Sequence, residues 1–275
     1  MRIIASILLL FCLIDTGSAF AQNKTKKISK SHFSIGETLE FNSVTLNEKR
    51  VINIYLPSSY KANKTQNYPV IYLLDGSSDE DFIHISGLVQ FNAFPWINNI
   101  PETIVVGISN VDRKRDFTFP TDNTLDFKEF PTSGHSAKFI HFIANELQPL
   151  VEENYRTNKT KTIIGQSLGG LLATEVLLKS PELFDHYIII SPSLWWDDGS
   201  LLTVLPQMPN SPKSIYIGVG KEGEIMERDA KKLYTKLKNT LVKNTQINFQ
   251  FFDKLDHGDT LHLAVYDAFG KIFKH

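Results

Sequence analysis

Gly165-Gln166-Ser167-Leu168-Gly169, with Gly170 behind it, is where this chain could do covalent chemistry. The apolar pair Ile163-Ile164 leads in, and the helix-forming run from Leu171 to Leu178 leads out. G-x-S-x-G between a strand and a helix is a nucleophile elbow. The tight turn strains the serine backbone and lifts its hydroxyl above a sheet. Glycines on either side leave room for the close backbone approach. The helix that follows aims its first N–H groups and positive dipole end at the place where an oxyanion would form. Ser167 is the candidate nucleophile.

A serine hydroxyl needs a base within hydrogen-bond reach, and the base needs a group to orient it. Behind an elbow of this kind the order along the chain is serine, acid, histidine. The last strand-like run, Phe249 to Phe252, is followed by Asp253-Lys254-Leu255-Asp256-His257-Gly258-Asp259. Gly258 lets that loop fold back, so His257 is the candidate base. His262 competes but falls inside or at the start of the final helix. The acid is expected after the run Ile215 to Val219, in Gly220-Lys221-Glu222-Gly223-Glu224. Glu222 is the first choice and Glu224 the reserve; with neither, a Ser–His dyad remains. Asp253 and Asp256 flank His257 too closely in sequence to turn towards it.

The oxyanion calls for two N–H groups. One is the backbone N–H of Leu168. The other is that of Gly76 or Ser77, after the run Val70 to Leu74. Ser191-Pro192-Ser193-Leu194-Trp195-Trp196 follows another strand-like run, Tyr187 to Ile190. Trp195 and Trp196 there either wall a substrate pocket or fill the core. Arg113 and Arg115 either bind an anionic substrate or brace their own loop. There is no His-x-x-x-His cluster near these residues and no glycine-rich phosphate loop, so neither a metal nor a cofactor is expected.

The elements that must hold these residues are short, doubly apolar runs at 70–74, 103–108, 163–164, 187–190, 215–219 and 249–252, as a buried parallel sheet demands. Amphipathic helices are expected at 137–154 and 227–242, with a short one at 266–273. Alternating segments at 37–46 and 49–56, joined by Asn47-Glu48, predict an antiparallel pair opening the sheet. Residues 109–135 mix turn formers with four phenylalanines and predict a long irregular loop covering the site.

The chain has 275 residues, a net charge of −1 and 42% hydrophobic residues, enough for one α/β domain over 22–275. That charge gives no electrostatic case for nucleic acid. Arg2, the apolar stretch Ile3 to Ile14 and Ala19-Phe20-Ala21 predict a signal peptide over residues 1–21, hence a periplasmic or secreted protein. The one cysteine, Cys12, lies within it. No later stretch is apolar for long enough to span a bilayer.

Taken together, these segments resemble the putative-esterase family of α/β hydrolases, which includes enterobactin-type siderophore esterases, feruloyl esterases and S-formylglutathione hydrolase. The resemblance rests on Tyr68 to Gly76, Arg113 to Thr118, Gly165 to Gly170, Ser191 to Trp196 and Asp256-His257-Gly258, in that order. It implies the α/β-hydrolase fold: a mostly parallel central sheet, antiparallel N-terminal strands and helices on both faces. It also implies an esterase acting on a small-molecule or polysaccharide-linked ester. The alternatives are an acyltransferase on the same triad and a hydrolase-like binding protein without catalysis.

Overall fold

The computed structural model describes residues 28–206, 212–240 and 245–274. The expected signal peptide, with Cys12, lies outside the described residues. Residues 28–33 carry no regular element; the elements all lie in the unit Ser34–His275.

Eight strands form one sheet in the order β1-β2-β4-β3-β5-β6-β7-β8. The antiparallel pair is β1 (Gly36–Ser43) and β2 (Glu48–Tyr55), turned at Asn47, whose φ is 55°. β2 then runs antiparallel to β4 (Ile104–Ile108). The remaining neighbours are parallel: β3 (Tyr68–Leu73), β5 (Thr157–Gln166), β6 (His186–Ile190), β7 (Ser214–Gly220) and β8 (Gln246–Phe252). This is the expected α/β-hydrolase architecture.

Alternation along the strands builds two cores. Val70, Tyr72, Tyr187 and Ile189 pack on one face of the sheet; Ile71, Leu73, Ile188 and Ile190 pack on the other. The second face is covered by α1 (Phe82–Asn92) and α8 (Thr260–Ile272). The first carries α6 (Leu168–Lys179) and α7 (Glu224–Thr240). Burial on both faces explains why these strands read as continuous apolar runs.

Several boundaries differ from expectation. β5 begins six residues before Ile163, at Thr157, because its first half is polar and partly exposed. α8 starts at Thr260 rather than Tyr266. The helix expected over 137–154 is three pieces: α4 (Ser136–Phe142), a π-helical turn at Ile143–Leu147, and α5 (Gln148–Asn154). Pro149 has no N–H to donate one turn back, so the ladder shifts register there.

Residues 109–135 are not the irregular loop that was expected. They hold α2 (Arg113–Phe117), capped by Asp112, and α3 (Thr124–Glu129), capped by Asn123. Phe117 and Phe119 are buried in the core. Arg50 and Asp116 are 1% and 2% exposed and meet at 2.9 Å. Arg115 joins Asp116 at 2.8 Å and Glu48 at 2.6 Å, and the Arg50 guanidinium lies over the rings of Phe139 and Phe142. An ion pair this deep repays its desolvation only while both partners stand. Asp116→Ala is therefore expected to cost about 3–5 kcal/mol by stranding Arg50. At roughly 2–4 °C per kcal/mol for a chain of this size, the thermal midpoint should fall clearly in a calorimetric scan. An unchanged midpoint would show that the segment is not anchored this way.

Candidate active site

The candidate residues gather at the C-terminal ends of the parallel strands, where open α/β sheets bind ligands. Ser167 follows β5, Ser191 follows β6, Glu222 follows β7 and His257 follows β8. Ser167 has φ 60° and ψ −122°, in the left-handed region that side chains seldom occupy. The turn closes tightly around it. A methyl group on Gly165 would sit 2.4 Å from the carbonyl oxygen of Gly169, so only glycine lets the strand and helix approach this closely. Ser167 N–H donates to Ile190 O, and Ser193 N–H donates back to Ser167 O, locking the elbow to β6 and its loop.

Glu222 is the acid that reaches His257. Its Oε2 lies 2.5 Å from His257 Nδ1, and its side chain is 2% exposed. Oε1 accepts from Ser191 Oγ at 2.5 Å and from Gly220 N–H at 2.8 Å. Burial by itself pushes this carboxyl up. The hydrogen bonds from His257, Ser191 and Gly220 outweigh that and hold it below the ordinary glutamate range, so it stays ionised at neutral pH. Glu224, the reserve, opens α7 and is exposed. His262 also stands apart, edge-on to His84 with ring centroids 5.2 Å away.

Ser167 and His257 line one solvent-open cleft of about 530 Å³, with Ser193, Trp195, Lys221, Glu222, Met226 and Asp256. In this structure Ser167 Oγ pairs with Ser193 Oγ at 3.3 Å rather than with the imidazole. Bonds between nucleophile and base are often long in unliganded sites and tighten when substrate arrives.

The expected oxyanion donors divide. Leu168 opens α6, where the first N–H groups have no intrahelical acceptor. Gly76 is excluded: its N–H donates to Ile108 O at 3.0 Å, because β3 and β4 continue their pairing past Leu73. The N–H of Ser77 has no acceptor among the described residues.

Two expected substrate contacts are also corrected. Trp196 is fully buried, and its indole N–H donates to Phe119 O at 2.9 Å, so it belongs to the core. Trp195, half-buried beside it, is the one that lines the cleft. Its loop is stitched to residues 109–135: Asp197 accepts from Thr121 Oγ and Asp122 N–H, and Asp198 from Asn123. Arg113 is a strut. Its Nε and Nη2 grip both oxygens of Asp75 at 2.6 and 2.9 Å, and Nη2 also reaches Gln166 O at 3.3 Å. Nε and Nη2 are thus engaged in holding the end of β3 against the elbow. Ser193, Lys221 and Met226 went unnoticed as cleft residues. For Ser193 the Ser-Pro-Ser run at a strand end was the available signal.

The sequence profile described as Putative esterase matches residues 43–270. The chain belongs to this family. It is a carboxylic ester hydrolase. Among curated relatives, "Ferri-bacillibactin esterase BesA" of Bacillus subtilis (strain 168) is 30% identical over 241 residues, covering 80% of this chain and 83% of the relative. An IroE-like serine hydrolase from Shewanella oneidensis has a similar structure, with TM-score 0.79 and 27% identity, covering 87% of this chain and 80% of the other. The BES protein from Bacillus cereus shares the fold at TM-score 0.79 and 24% identity, covering 92% and 100%. No helix among the described residues is long and apolar enough to cross a membrane.

Proposed function

We propose that this esterase works through Ser167, His257 and Glu222, and that its substrate is a small-molecule siderophore ester. The observation that carries the mechanism is the buried Glu222 carboxylate on His257 Nδ1, in the cleft that Ser167 lines. Glu222 accepts a hydrogen bond from Nδ1–H and leaves Nε2 as the base. Ser167 Oγ attacks the ester carbonyl while its proton passes to His257. The oxyanion lies against the N–H groups of Leu168 and Ser77, which meet charge that exists only in the transition state. The carbon–oxygen bond then breaks, and the proton returns from His257 to the departing alcohol. Water, deprotonated by His257, attacks the acyl-enzyme; the acid leaves and Ser167 is reprotonated.

The substrate class is supported by the name of the 30% identical relative and by the lining of the cleft. Trp195 offers a ring for stacking, Met226 an adaptable apolar surface, and Lys221 a cation. The signal-like leader supports a periplasmic or secreted setting.

A fluorophosphonate probe tests the mechanism. One adduct per chain is expected, on the peptide carrying Ser167, with activity lost in step. Full activity after stoichiometric labelling there would overturn it. For the substrate, kcat/KM on a catecholate siderophore lactone should exceed that on feruloyl and acetyl esters; the reverse order would assign the enzyme to the other esters.

A further inference from the structure

The loop that carries His257 is poorly buried. Asp253, Lys254 and residues 256–259 are all exposed, and the His257 side chain is 47% exposed. Packing therefore does little to fix where the imidazole stands relative to Ser167. Hydrogen bonds must do it. Leu255 O accepts from Lys221 N–H at 2.6 Å and Asp256 O from Thr260 Oγ at 2.5 Å, which tie the loop to the end of β7 and the start of α8. Glu222 fixes one ring nitrogen. None of these reaches the elbow.

One bond does. Gln166 Nε2 donates to His257 O at 2.6 Å, the single hydrogen bond between the elbow and the histidine loop among the described residues. The partner is a carbonyl oxygen, so only the amide NH2 end can face it. The backbone of Gln166 is held firmly. This residue is the last of β5, its carbonyl accepts from Arg113, and it pairs in register with Ile190 of β6. It is also the residue immediately before Ser167. A side chain on a fixed backbone, one residue from the nucleophile, thus holds the backbone of the base.

We infer that Gln166 is a positioning residue that sets the separation between Ser167 and His257, an inference that rests on the Ser–His reading above. Its side chain touches neither the reacting ester nor the imidazole; it acts on the carbonyl of the residue that carries the imidazole. Misplacing a catalytic group by about 1 Å can cost a hundredfold in rate. Binding of substrate to Trp195, Lys221 and Met226 does not pass through this bond, so the loss belongs in kcat and not in KM.

The test is Gln166→Met, which keeps the length of the side chain and removes the donor, assayed on a p-nitrophenyl ester alone and combined with His257→Ala. Alone, kcat should fall about ten- to a hundredfold with KM changed less than about twofold. In the His257→Ala background it should change the residual rate less than about twofold, because no base is left to place. An equal fractional loss in both backgrounds, or a loss confined to KM, would overturn the inference. If the methionine variant does not fold, judged by its thermal midpoint, Gln166→Glu replaces it in the same cycle. Its ionised carboxylate cannot donate and is expected to lose at least as much. If Ser167→Ala and His257→Ala abolish turnover while Gln166→Met leaves it intact, this inference alone falls. If those two variants retain full turnover, the mechanism beneath it falls instead.

Discussion

Replacing Ser167 by alanine should lower kcat on a p-nitrophenyl ester by about a millionfold, the scale seen when the nucleophile of a serine triad is removed. The structure gives the reason for so large an effect. Ser167 sits at φ 60° between a strand and a helix that touch through Gly165 and Gly169, so no neighbouring side chain can take its place on the elbow. The nearest hydroxyl, Ser193 Oγ at 3.3 Å, is 97% buried as a residue and follows a different strand. Substrate binding should survive, because Trp195, Lys221 and Met226 are untouched. The fold should survive as well, since the removed oxygen makes one hydrogen bond, to Ser193. The check is steady-state kinetics beside a thermal midpoint and a binding isotherm for a slowly cleaved ester. Turnover within tenfold of the parent enzyme would remove Ser167 from the mechanism.

Glu222→Gln should lower kcat by about ten-thousandfold while leaving the shape of the site intact. The outcome depends on which end of the amide faces which partner. Oε1 of Glu222 accepts from Ser191 Oγ and from Gly220 N–H. The backbone donor cannot reverse, so the amide oxygen of the variant must take that side. Its NH2 group then faces His257 Nδ1, where the carboxylate now lies 2.5 Å away. Facing a donor, Nδ1 must accept, and the ring proton moves to Nε2. A protonated Nε2 cannot take the Ser167 proton. The variant holds the imidazole in place but in the wrong tautomer. Stability bears a second mark of this residue. Its folded-state pKa is depressed, so its ionised form stabilises the fold above the ordinary glutamate range, and that contribution is lost as pH falls through the folded value. The glutamine variant should therefore show a weaker dependence of thermal midpoint on acid pH than the parent. If kcat for Glu222→Gln stays within tenfold of the parent, a Ser–His dyad suffices and the acid is accessory.

These two effects differ in how visible their cause is in the sequence. The elbow is a local object. Its glycines, its serine and the helix formers behind them lie within a few residues, and the backbone strain is a consequence of that short string. The alternation of apolar runs with amphipathic helices is equally local, and it specified a mostly parallel sheet with β1 and β2 antiparallel at its start. Elements with weaker local signals were misread. α1 is absent from the sequence reading altogether, and the polar first half of β5 reads as loop although β3 pairs with it at Thr157 and Lys161.

By itself, then, the sequence determined the fold, the family and a short list of candidate residues, because each depends on patterns spanning one element or on the order of elements. Choices within that list needed the tertiary structure. Whether Glu222 or Glu224 meets His257 depends on where β7 ends relative to β8. Gly76 loses its N–H to Ile108 because β3 and β4 keep pairing one step further than their apolar runs suggest. Trp195 enters the cleft and Trp196 the core because Phe119, far away along the chain, supplies the carbonyl that captures one indole. Arg113 is drawn to Asp75 in the same way. In each case the deciding partner is distant in sequence, and a hydrogen-bonding group satisfied by one partner is no longer available to another.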